Sequence, residues 1–199
     1  MVKPIVIAPT VIDLLRHGEV EGRQHVARGS TDNSLSAWGW QQLMQVKATI
    51  GTVDVIGTSP LKRCRLFAES CAEPVQVFDD MRELDFGDWE NKSNDEVDDL
   101  ALLQQFFDDP TDFQAPHGER FEDFTQRVIQ AWERWLQAGA GEHRLLMAHG
   151  CVIRVILAHL LGIPTSHIWR LSLDYASWSR VSCMQGEQPR VLFINRTTG

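Results

Sequence analysis

Short apolar runs alternate with amphipathic stretches along the chain, and this alternation constrains the fold more than any other feature of the sequence. A short apolar run bounded by turn residues is typical of a buried strand, whereas apolar residues at three- and four-residue steps indicate a helix. Neighbouring parallel strands need a crossover connection, which a helix supplies. We therefore predict an α/β fold, a three-layer α/β/α sandwich with a mostly parallel central sheet.

Local signals place the predicted elements along the chain. Ser59 followed by Pro60 is a helix-start signal, and Ser93 opens a capping box that predicts a helix ending near Pro110. Two β-runs near the end of the chain are expected to pair as a hairpin around a loop at 185–188. The predicted strands are 11–15, 53–57, 75–78, 145–148, 176–184 and 190–194, and the main predicted helices are 36–49, 59–72, 151–161 and a long one from Glu119 to the glycines at 139 and 141.

Composition fits one domain spanning residues 1–199 and excludes several classes of partner. The chain has 199 residues, of which 43% are hydrophobic, enough to build a core. Its net charge of −8 argues against a nucleic-acid partner, because a nucleic-acid binder presents a basic face to the phosphates. No apolar run reaches the roughly 18 residues of a membrane helix, so no membrane partner is expected.

Cysteine usage and the start of the sequence favour a cytoplasmic protein. The four cysteines contain no Cys-x-x-Cys pair, so neither a zinc site nor a redox motif is predicted. A disulfide framework is arithmetically possible, but a chain with a full core does not need one. Residues 1–9 are too short and too interrupted by prolines for a signal peptide. We therefore expect a cytoplasmic location.

Two of the predicted strands end in a histidine followed by a glycine. His17 follows the strand at 11–15, and His149 follows the strand at 145–148. Ligands of open α/β sheets bind at the carboxyl ends of the strands. If both strands are central and parallel, the two imidazole groups converge on one crevice.

Arginines accompany the two histidines. Arg16 precedes His17, and Arg63 lies in the first turns of the helix after another predicted strand, where it can face the same crevice. Taken singly, such a residue is more often a surface or core residue than a ligand. Two imidazole groups and two guanidinium groups together indicate an anion, and a guanidinium group matches phosphoryl oxygens in geometry and charge.

Five motifs follow one another in order between about residues 11 and 194, which is nearly the whole chain. The five motifs are Leu14-Leu15-Arg16-His17-Gly18-Glu19, Thr58-Ser59-Pro60-Leu61-Lys62-Arg63-Cys64, Arg82-Glu83-Leu84-Asp85-Phe86-Gly87-Asp88-Trp89-Glu90, Pro116-His117-Gly118-Glu119 and Ala148-His149-Gly150. They resemble the motifs of the histidine phosphatase superfamily, the phosphoglycerate-mutase-like proteins. Within it, the stretches 28–36, 86–90 and 174–179 resemble those of α-ribazole phosphatases of cobalamin synthesis.

The resemblance implies a fold, a reaction and roles for residues. The fold is phosphoglycerate-mutase-like, and the reaction passes through a phosphohistidine on His17, which acts as the nucleophile. Arg16, Arg63 and His149 would hold the phosphoryl oxygens, so neither a metal ion nor another cofactor is expected. Glu83 matches the general acid, which protonates the leaving oxygen and then activates water.

Other polar and aromatic residues have competing interpretations. Arg28 and Trp178 are candidates for substrate contact, although Arg28 is as readily explained as a solvated side chain and most tryptophans belong to the core. Asp85, Asp88 and Glu90 are near Glu83 in the sequence, and for all three we favour a surface position.

Several functions stay open at this point. The first is hydrolysis of a small phosphate monoester, with α-ribazole 5′-phosphate as the candidate substrate and sugar phosphates as an alternative. The second is phosphoglycerate-mutase-type phosphoryl transfer, which the compact chain disfavours because mutases carry extra shielding segments. The third is a catalytically silent phospho-ligand-binding module, which the complete set of motif residues disfavours. A homodimer is one possible assembly, although the sequence does not determine the oligomeric state.

Overall fold

The computed structural model describes residues 9–138, 141–184 and 187–198, and in this part of the chain six strands form one sheet with helices on both faces. The strands are β1 (Thr10–Arg16), β2 (Val55–Thr58), β3 (Val75–Val77), β4 (His143–Ala148), β5 (Trp178–Cys183) and β6 (Arg190–Arg196). The α-helices are α1 (Ala37–Ile50), α2 (Lys62–Ser70), α3 (Leu100–Asp108), α4 (Phe121–Ala138) and α5 (Gly150–Leu161).

The sheet is mostly parallel, as predicted. Its strand order is β3-β2-β4-β1-β5-β6, and the first four of these strands run parallel to one another. β5 is antiparallel to both β1 and β6, which confirms the predicted pairing of the last two strands as a hairpin. β1 and β4 therefore lie at the centre of the sheet, where each is covered by helices on both faces.

Alternate side chains along the central strands fill two separate cores. Leu14 and Leu146 pack in the core beneath α4 and α5, whereas Leu15 and Met147 pack in the core beneath α1 and α2. Two helical layers thus enclose the sheet, and the predicted α/β/α sandwich is confirmed.

The start of α2 differs from the prediction. The helix begins at Lys62, after Leu61, rather than at Ser59 and Pro60. The Ser59 hydroxyl accepts a hydrogen bond from the Leu61 N–H at 3.3 Å and lies 2.7 Å from Nε2 of His149. The Ser59 hydroxyl therefore contacts His149 at the carboxyl end of β4, and it does not cap α2.

The capping box at Ser93 opens a single turn instead of a helix. Both of its reciprocal hydrogen bonds are present, but the turn spans only Asn94–Glu96. The chain then becomes extended at Val97, whose side chain is buried, and α3 begins only after Asp99 caps it through the Leu102 N–H. The predicted acidic helix is thus replaced by a turn and a separate helix, because burying Val97 interrupts it.

Parts of three predictions lie outside the described ranges: the end of the long helix at Gly139, the prediction for residues 1–8 that they form no signal peptide, and the first half of the hairpin loop, residues 185–186. Among the residues that the structure describes, no helix is both long and apolar enough to cross a membrane.

Candidate active site

The carboxyl ends of β1 and β4 lie side by side and carry the two histidines. Arg16 is opposite Ala148 in the parallel register, and the His17 N–H donates to the carbonyl oxygen of Ala148 at 3.1 Å. The imidazole centroids of His17 and His149 are 5.3 Å apart, with the ring planes at 63°. The structure thus brings together two residues that are far apart in the sequence.

His17 is held as a neutral imidazole. Its Nδ1 lies 2.8 Å from the carbonyl oxygen of Gly18, which can only accept, so the proton is on Nδ1 and the lone pair is on Nε2. Burial, followed by the charges of Arg63 and Arg16, lowers the pKa of His17 well below its ordinary value of 6.5. Near neutral pH His17 therefore has the protonation state that a nucleophilic imidazole requires.

Arg63 and His149 form a fully buried layer behind His17. The Arg63 guanidinium group donates from Nη1 to the Thr31 carbonyl oxygen at 2.7 Å and from Nη2 to the Gly29 carbonyl oxygen at 2.8 Å. Its Nε donates to Nδ1 of His149 at 3.2 Å, so the His149 proton is on Nε2. Burial, followed by the charge of Arg63, lowers the pKa of His149 well below 6.5.

Arg63 and His149 are expected from the sequence to contact phosphoryl oxygens directly, and that role stays a prediction. In this structure both side chains are fully buried and neither lines the cavity. The reason is that the loop at 29–31 folds over Arg63, and backbone carbonyl oxygens of this loop accept hydrogen bonds from the Arg63 guanidinium group. The charge of Arg63 acts on the site electrostatically, since among the charged neighbours of His17 it lowers the His17 pKa most.

Arg16 lies on the cavity wall with an unsatisfied donor. Its Nη1 donates to the Leu173 carbonyl oxygen at 2.6 Å, and its Cζ lies 4.2 Å from the centroid of the Tyr175 ring. Its Nε is buried and has no hydrogen-bond partner in the described part of the chain. A Cβ at Gly150 would lie 3.5 Å from this Nε, so the glycine leaves the adjacent space open. A buried guanidinium donor without a partner favours an anionic ligand.

Glu83 reaches the same cavity from the segment that follows β3. Only 7% of Glu83 is exposed, and its carboxylate accepts from the backbone N–H of Leu84 at 3.1 Å and of Cys151 at 3.0 Å. Cys151 is in the first turn of α5, where free N–H groups favour a carboxylate. Glu83 is thereby fixed between its own loop and the start of α5.

Arg127 on α4 fastens the segment that carries Glu83. Its guanidinium group donates to three carbonyl oxygens of that segment, those of Asp80 at 2.8 Å, Arg82 at 2.9 Å and Glu83 at 3.2 Å. It also binds the Glu119 carboxylate through two N–H groups, at 2.6 and 2.7 Å. The position of Glu83 therefore depends on a side chain that does not line the cavity.

Arg16, His17 and Glu83 all line one cavity of about 220 Å³. Its charged side chains are three guanidinium groups and one carboxylate, a balance that suits an anionic ligand. The cavity is lined by Arg16, His17, Val26, Ala27, Arg28, Glu83, Phe86, Gly150, Cys151, Arg154, Trp169 and Tyr175.

The two candidates for substrate contact have different positions. Arg28 lines the cavity, with its Nε donating to Asn33 Oδ1 at 3.1 Å. Trp178 does not: its side chain is buried in the core and packs against Phe193 with ring centroids 5.6 Å apart. The expectation that Trp178 lines the substrate pocket is corrected, since β5 directs it into the core. Arg23 is on the surface and pairs with Glu96 at 2.7 Å.

Two polar cavity residues, Tyr175 and Arg154, are not among the residues predicted from the sequence. Tyr175 contacts both Arg16 and His17, with its ring centroid 5.5 Å from that of His17. Arg154 extends from α5 four residues after Gly150 and donates through Nε to a backbone carbonyl oxygen. The spacing from Gly150 to Arg154 is one helical turn, a signal that could have placed Arg154 beside the strand end.

The three carboxylates near Glu83 in the sequence are not equivalent. Asp88 is exposed and pairs with the exposed His117 at 2.9 Å, in agreement with the expected surface position. Asp85 is partly buried and accepts from the Gly87 N–H at 2.9 Å. Glu90 contradicts the expectation, since backbone N–H groups of the loop over Arg63 surround its carboxylate.

The geometry can be compared with known proteins. The family profile described as "Histidine phosphatase superfamily (branch 1)" matches residues 12–197. This chain belongs to that superfamily. The membership supports a general phosphatase or phosphoryl-transfer activity on small phosphorylated substrates, and it confirms the resemblance carried by the sequence motifs.

Individual relatives of this chain within the superfamily have different names. The Klebsiella pneumoniae protein called "Probable phosphoglycerate mutase GpmB" is 32% identical over 182 residues, covering 86% of this chain and 84% of the relative. The "Adenosylcobalamin/alpha-ribazole phosphatase" of Escherichia coli is 26% identical over 181 residues, covering 86% and 89%. The solved structure of an alpha-ribazole phosphatase from Shigella flexneri has a TM-score of 0.83 at 23% identity, covering 96% and 98%, and shows the shared fold.

Proposed function

We propose that this histidine phosphatase hydrolyses small phosphate monoesters through a phosphohistidine on His17, without a metal ion. The observation that carries the proposal is the neutral, buried His17, whose Nε2 lone pair shares one cavity with the unpaired N–H of Arg16 and with the carboxyl group of Glu83. Phosphoryl transfer depends mainly on positioning and on electrostatic stabilisation, both of which these groups supply.

In the first step, the Nε2 lone pair of His17 attacks phosphorus as the bond to the alcohol oxygen breaks. The proton of a Glu83 carboxylic acid passes to the leaving oxygen, so the products are a phosphohistidine, an alcohol and a carboxylate. The Arg16 N–H and the charge of Arg63 stabilise the negative charge on the phosphoryl oxygens in the transition state.

In the second step, the Glu83 carboxylate takes a proton from a water molecule that attacks phosphorus. The P–N bond breaks, inorganic phosphate forms, and the electron pair returns to Nε2 of His17. Glu83 is again protonated and His17 again neutral, so both are ready for another substrate molecule.

Phosphoglycerate-mutase-type transfer is the second candidate, and the 32% identity to the protein named as a phosphoglycerate mutase favours it. The two reactions differ in the acceptor of the phosphoryl group, which is water in one and a substrate hydroxyl in the other. With 3-phosphoglycerate as substrate, hydrolysis releases inorganic phosphate, whereas a mutase forms 2-phosphoglycerate. Phosphorus NMR of one reaction mixture distinguishes the products.

α-Ribazole 5′-phosphate is the proposed substrate, supported by the motifs at 28–36, 86–90 and 174–179 and by the similarity to the Escherichia coli phosphatase. A panel of α-ribazole 5′-phosphate, sugar phosphates and phosphoglycerates tests this assignment. We expect the highest kcat/KM for α-ribazole 5′-phosphate. Similar values across the sugar phosphates would indicate broad specificity instead, and no turnover of any member would indicate a silent binding module.

The reaction class is tested with p-nitrophenyl phosphate in the presence of EDTA. We expect turnover by the wild-type protein and a loss of at least about 1,000-fold in the His17→Ala variant, since the nucleophile is removed. His159→Ala, at an exposed position near the end of α5, is the matched control and should retain activity. Full activity of His17→Ala, or activity abolished by EDTA, would contradict the proposal.

We also propose that the enzyme acts in the cytoplasm and forms a homodimer. Size-exclusion chromatography with light scattering tests the assembly, and a monomer at micromolar concentration would contradict a stable dimer.

A further inference from the structure

Glu90 is surrounded by N–H groups of a loop that borders the active site. Its Oε1 accepts from the backbone N–H of Gly29 at 2.9 Å, of Ser30 at 2.8 Å and of Phe86 at 3.2 Å. Its Oε2 accepts from the backbone N–H of Thr31 at 3.1 Å and from the Thr31 hydroxyl. A set of N–H and O–H donors directed at both oxygen atoms is complementary to an ionised carboxylate.

The loop can approach Glu90 only because residue 29 is glycine. A Cβ at Gly29 would lie 1.8 Å from the Leu84 carbonyl oxygen and 2.6 Å from Glu90 Oε1. Both distances are far below van der Waals contact, so any larger residue would push the loop away. The sequence thus provides both the carboxylate and the close approach.

The same stretch of backbone faces Arg63 on its other side. In the peptide between Gly29 and Ser30, the carbonyl oxygen accepts from Arg63 Nη2 at 2.8 Å while the N–H donates to Glu90. The carbonyl oxygen of Thr31 accepts from Arg63 Nη1 at 2.7 Å. The carbonyl and N–H of a trans peptide point in opposite directions, so this backbone lies between a buried cation and a carboxylate, with its dipoles aligned to both.

We propose that Glu90 is a positioning residue for the phosphoryl-transfer site. Through the peptide groups at 29–31 it sets the position of Arg63, and through Arg63 it sets the His149 ring and the positive charge behind His17. Glu90 does not line the cavity itself. This inference rests on the proposed function, because it assigns Glu90 a task in that reaction.

The loop has attachments that do not involve Glu90. The Ala27 N–H donates to the Lys92 carbonyl oxygen, and the Asn91 N–H donates to the Ala27 carbonyl oxygen, both at 2.9 Å. Removing the charge of Glu90 therefore leaves the loop attached at its start while it releases the peptides at 29–31. A change in catalysis without loss of the fold is the expected consequence.

The test compares Glu90→Gln with the control Asp88→Asn, which removes the same charge from an exposed side chain in the same segment. The amide of Gln presents N–H donors where Glu90 has an oxygen, so it opposes at least one loop N–H. For Glu90→Gln we expect kcat/KM for p-nitrophenyl phosphate to fall about 100-fold, the scale of a misplacement near 1 Å. For Asp88→Asn we expect a change within about twofold.

The second readout is the titration of the His17 imidazole, followed by NMR, which requires no turnover. Arg63 lowers the pKa of His17 in the wild-type protein, so a displaced Arg63 lets His17 titrate at higher pH in Glu90→Gln but not in Asp88→Asn. The acid limb of the pH profile of kcat/KM should move in the same direction. A change in thermal stability alone would move neither quantity.

The outcomes separate this inference from the proposed function. If the wild-type protein hydrolyses no phosphate monoester, the proposed function fails, and the His17 titration still decides whether Glu90 controls the site. A folded Glu90→Gln protein with unchanged kcat/KM and unchanged His17 titration overturns the inference. If Glu90→Gln does not fold, Thr31→Val removes one donor to Glu90, and an unchanged His17 titration in that variant overturns it equally.

Discussion

At the scale of single residues, the chemistry of His17 comes from its neighbours. The motif resemblance identified His17, Arg16 and Glu83, and the structure places all three on one cavity. It could not predict that Arg63 and His149 lie behind that cavity, because their burial depends on how a distant loop folds over them. Long-range packing of this kind leaves no local pattern in the sequence.

The buried histidines predict how stability depends on pH. Burial and nearby guanidinium groups lower the pKa of His17 and of His149 in the folded protein, so below about pH 6.5 the unfolded chain binds protons that the folded chain does not. The free energy of unfolding should therefore fall as the pH drops below 6.5, by up to about 1.4 kcal/mol per pH unit for each histidine. Urea unfolding at a series of pH values measures this slope.

The slope can be assigned with one variant. His17→Asn should reduce it by about the contribution of one proton, because the substitution removes an imidazole group whose pKa the fold lowers. Equal slopes for His17→Asn and the wild-type protein would show that His17 is not kept neutral by the fold.

At the scale of elements, α5 and the segment after β3 form one unit. α5 begins at Gly150, and the side chain of its N-cap residue, His149, makes no capping hydrogen bond. The Glu83 carboxylate accepts a hydrogen bond from the Cys151 N–H instead. Apolar periodicity predicted α5 within one residue of its observed start. It did not reveal that Glu83 binds the helix start, because this contact joins parts of the chain 68 residues apart.

Arg127 should control catalysis through this unit. Arg127→Met removes three hydrogen bonds to the carbonyl oxygens of the Glu83 segment, so the carboxyl group of Glu83 loses its fixed position. We expect kcat to fall about 10- to 100-fold for an alkyl phosphate, whose leaving group needs protonation, and much less for p-nitrophenyl phosphate. Steady-state kinetics with both substrates measures the difference, and an equal loss with both would indicate that Arg127 does not act through Glu83.

At the scale of the whole molecule, the parallel sheet brings residues that are distant in the sequence together in a cationic site on an acidic protein. The chain carries a net charge of −8, whereas its cavity is lined by three arginines and one glutamate. Strand–helix alternation was enough to predict the sheet, because buried strands and amphipathic helices have clear periods. The whole-chain charge argues against a nucleic-acid partner, which stays a prediction, and it gives no indication of the local site.

A buried carboxylate joins the central strands of this sheet. Asp13 on β1 is fully buried, binds Arg180 on β5 through two hydrogen bonds at 2.8 and 2.9 Å, and lies 2.7 Å from Nε2 of His143 on β4. Asp13→Asn should lower the free energy of unfolding by about 3 kcal/mol, the lower end for a broken buried pair, since Arg180 and His143 keep some contact with solvent. Chemical denaturation measures the loss, and a change below about 0.5 kcal/mol would contradict a role for Asp13 in holding the strands together.

The central claim is that the phosphoryl group passes through His17, and trapping the intermediate tests it most directly. The protein is mixed with substrate, quenched in alkali within milliseconds, and digested for mass spectrometry under conditions that preserve phosphohistidine. We predict a phosphoryl group on the peptide that contains His17, in the wild-type protein and in His159→Ala, and none in His17→Ala. Phosphorylation of another residue, or turnover by His17→Ala at the wild-type rate, would contradict the account.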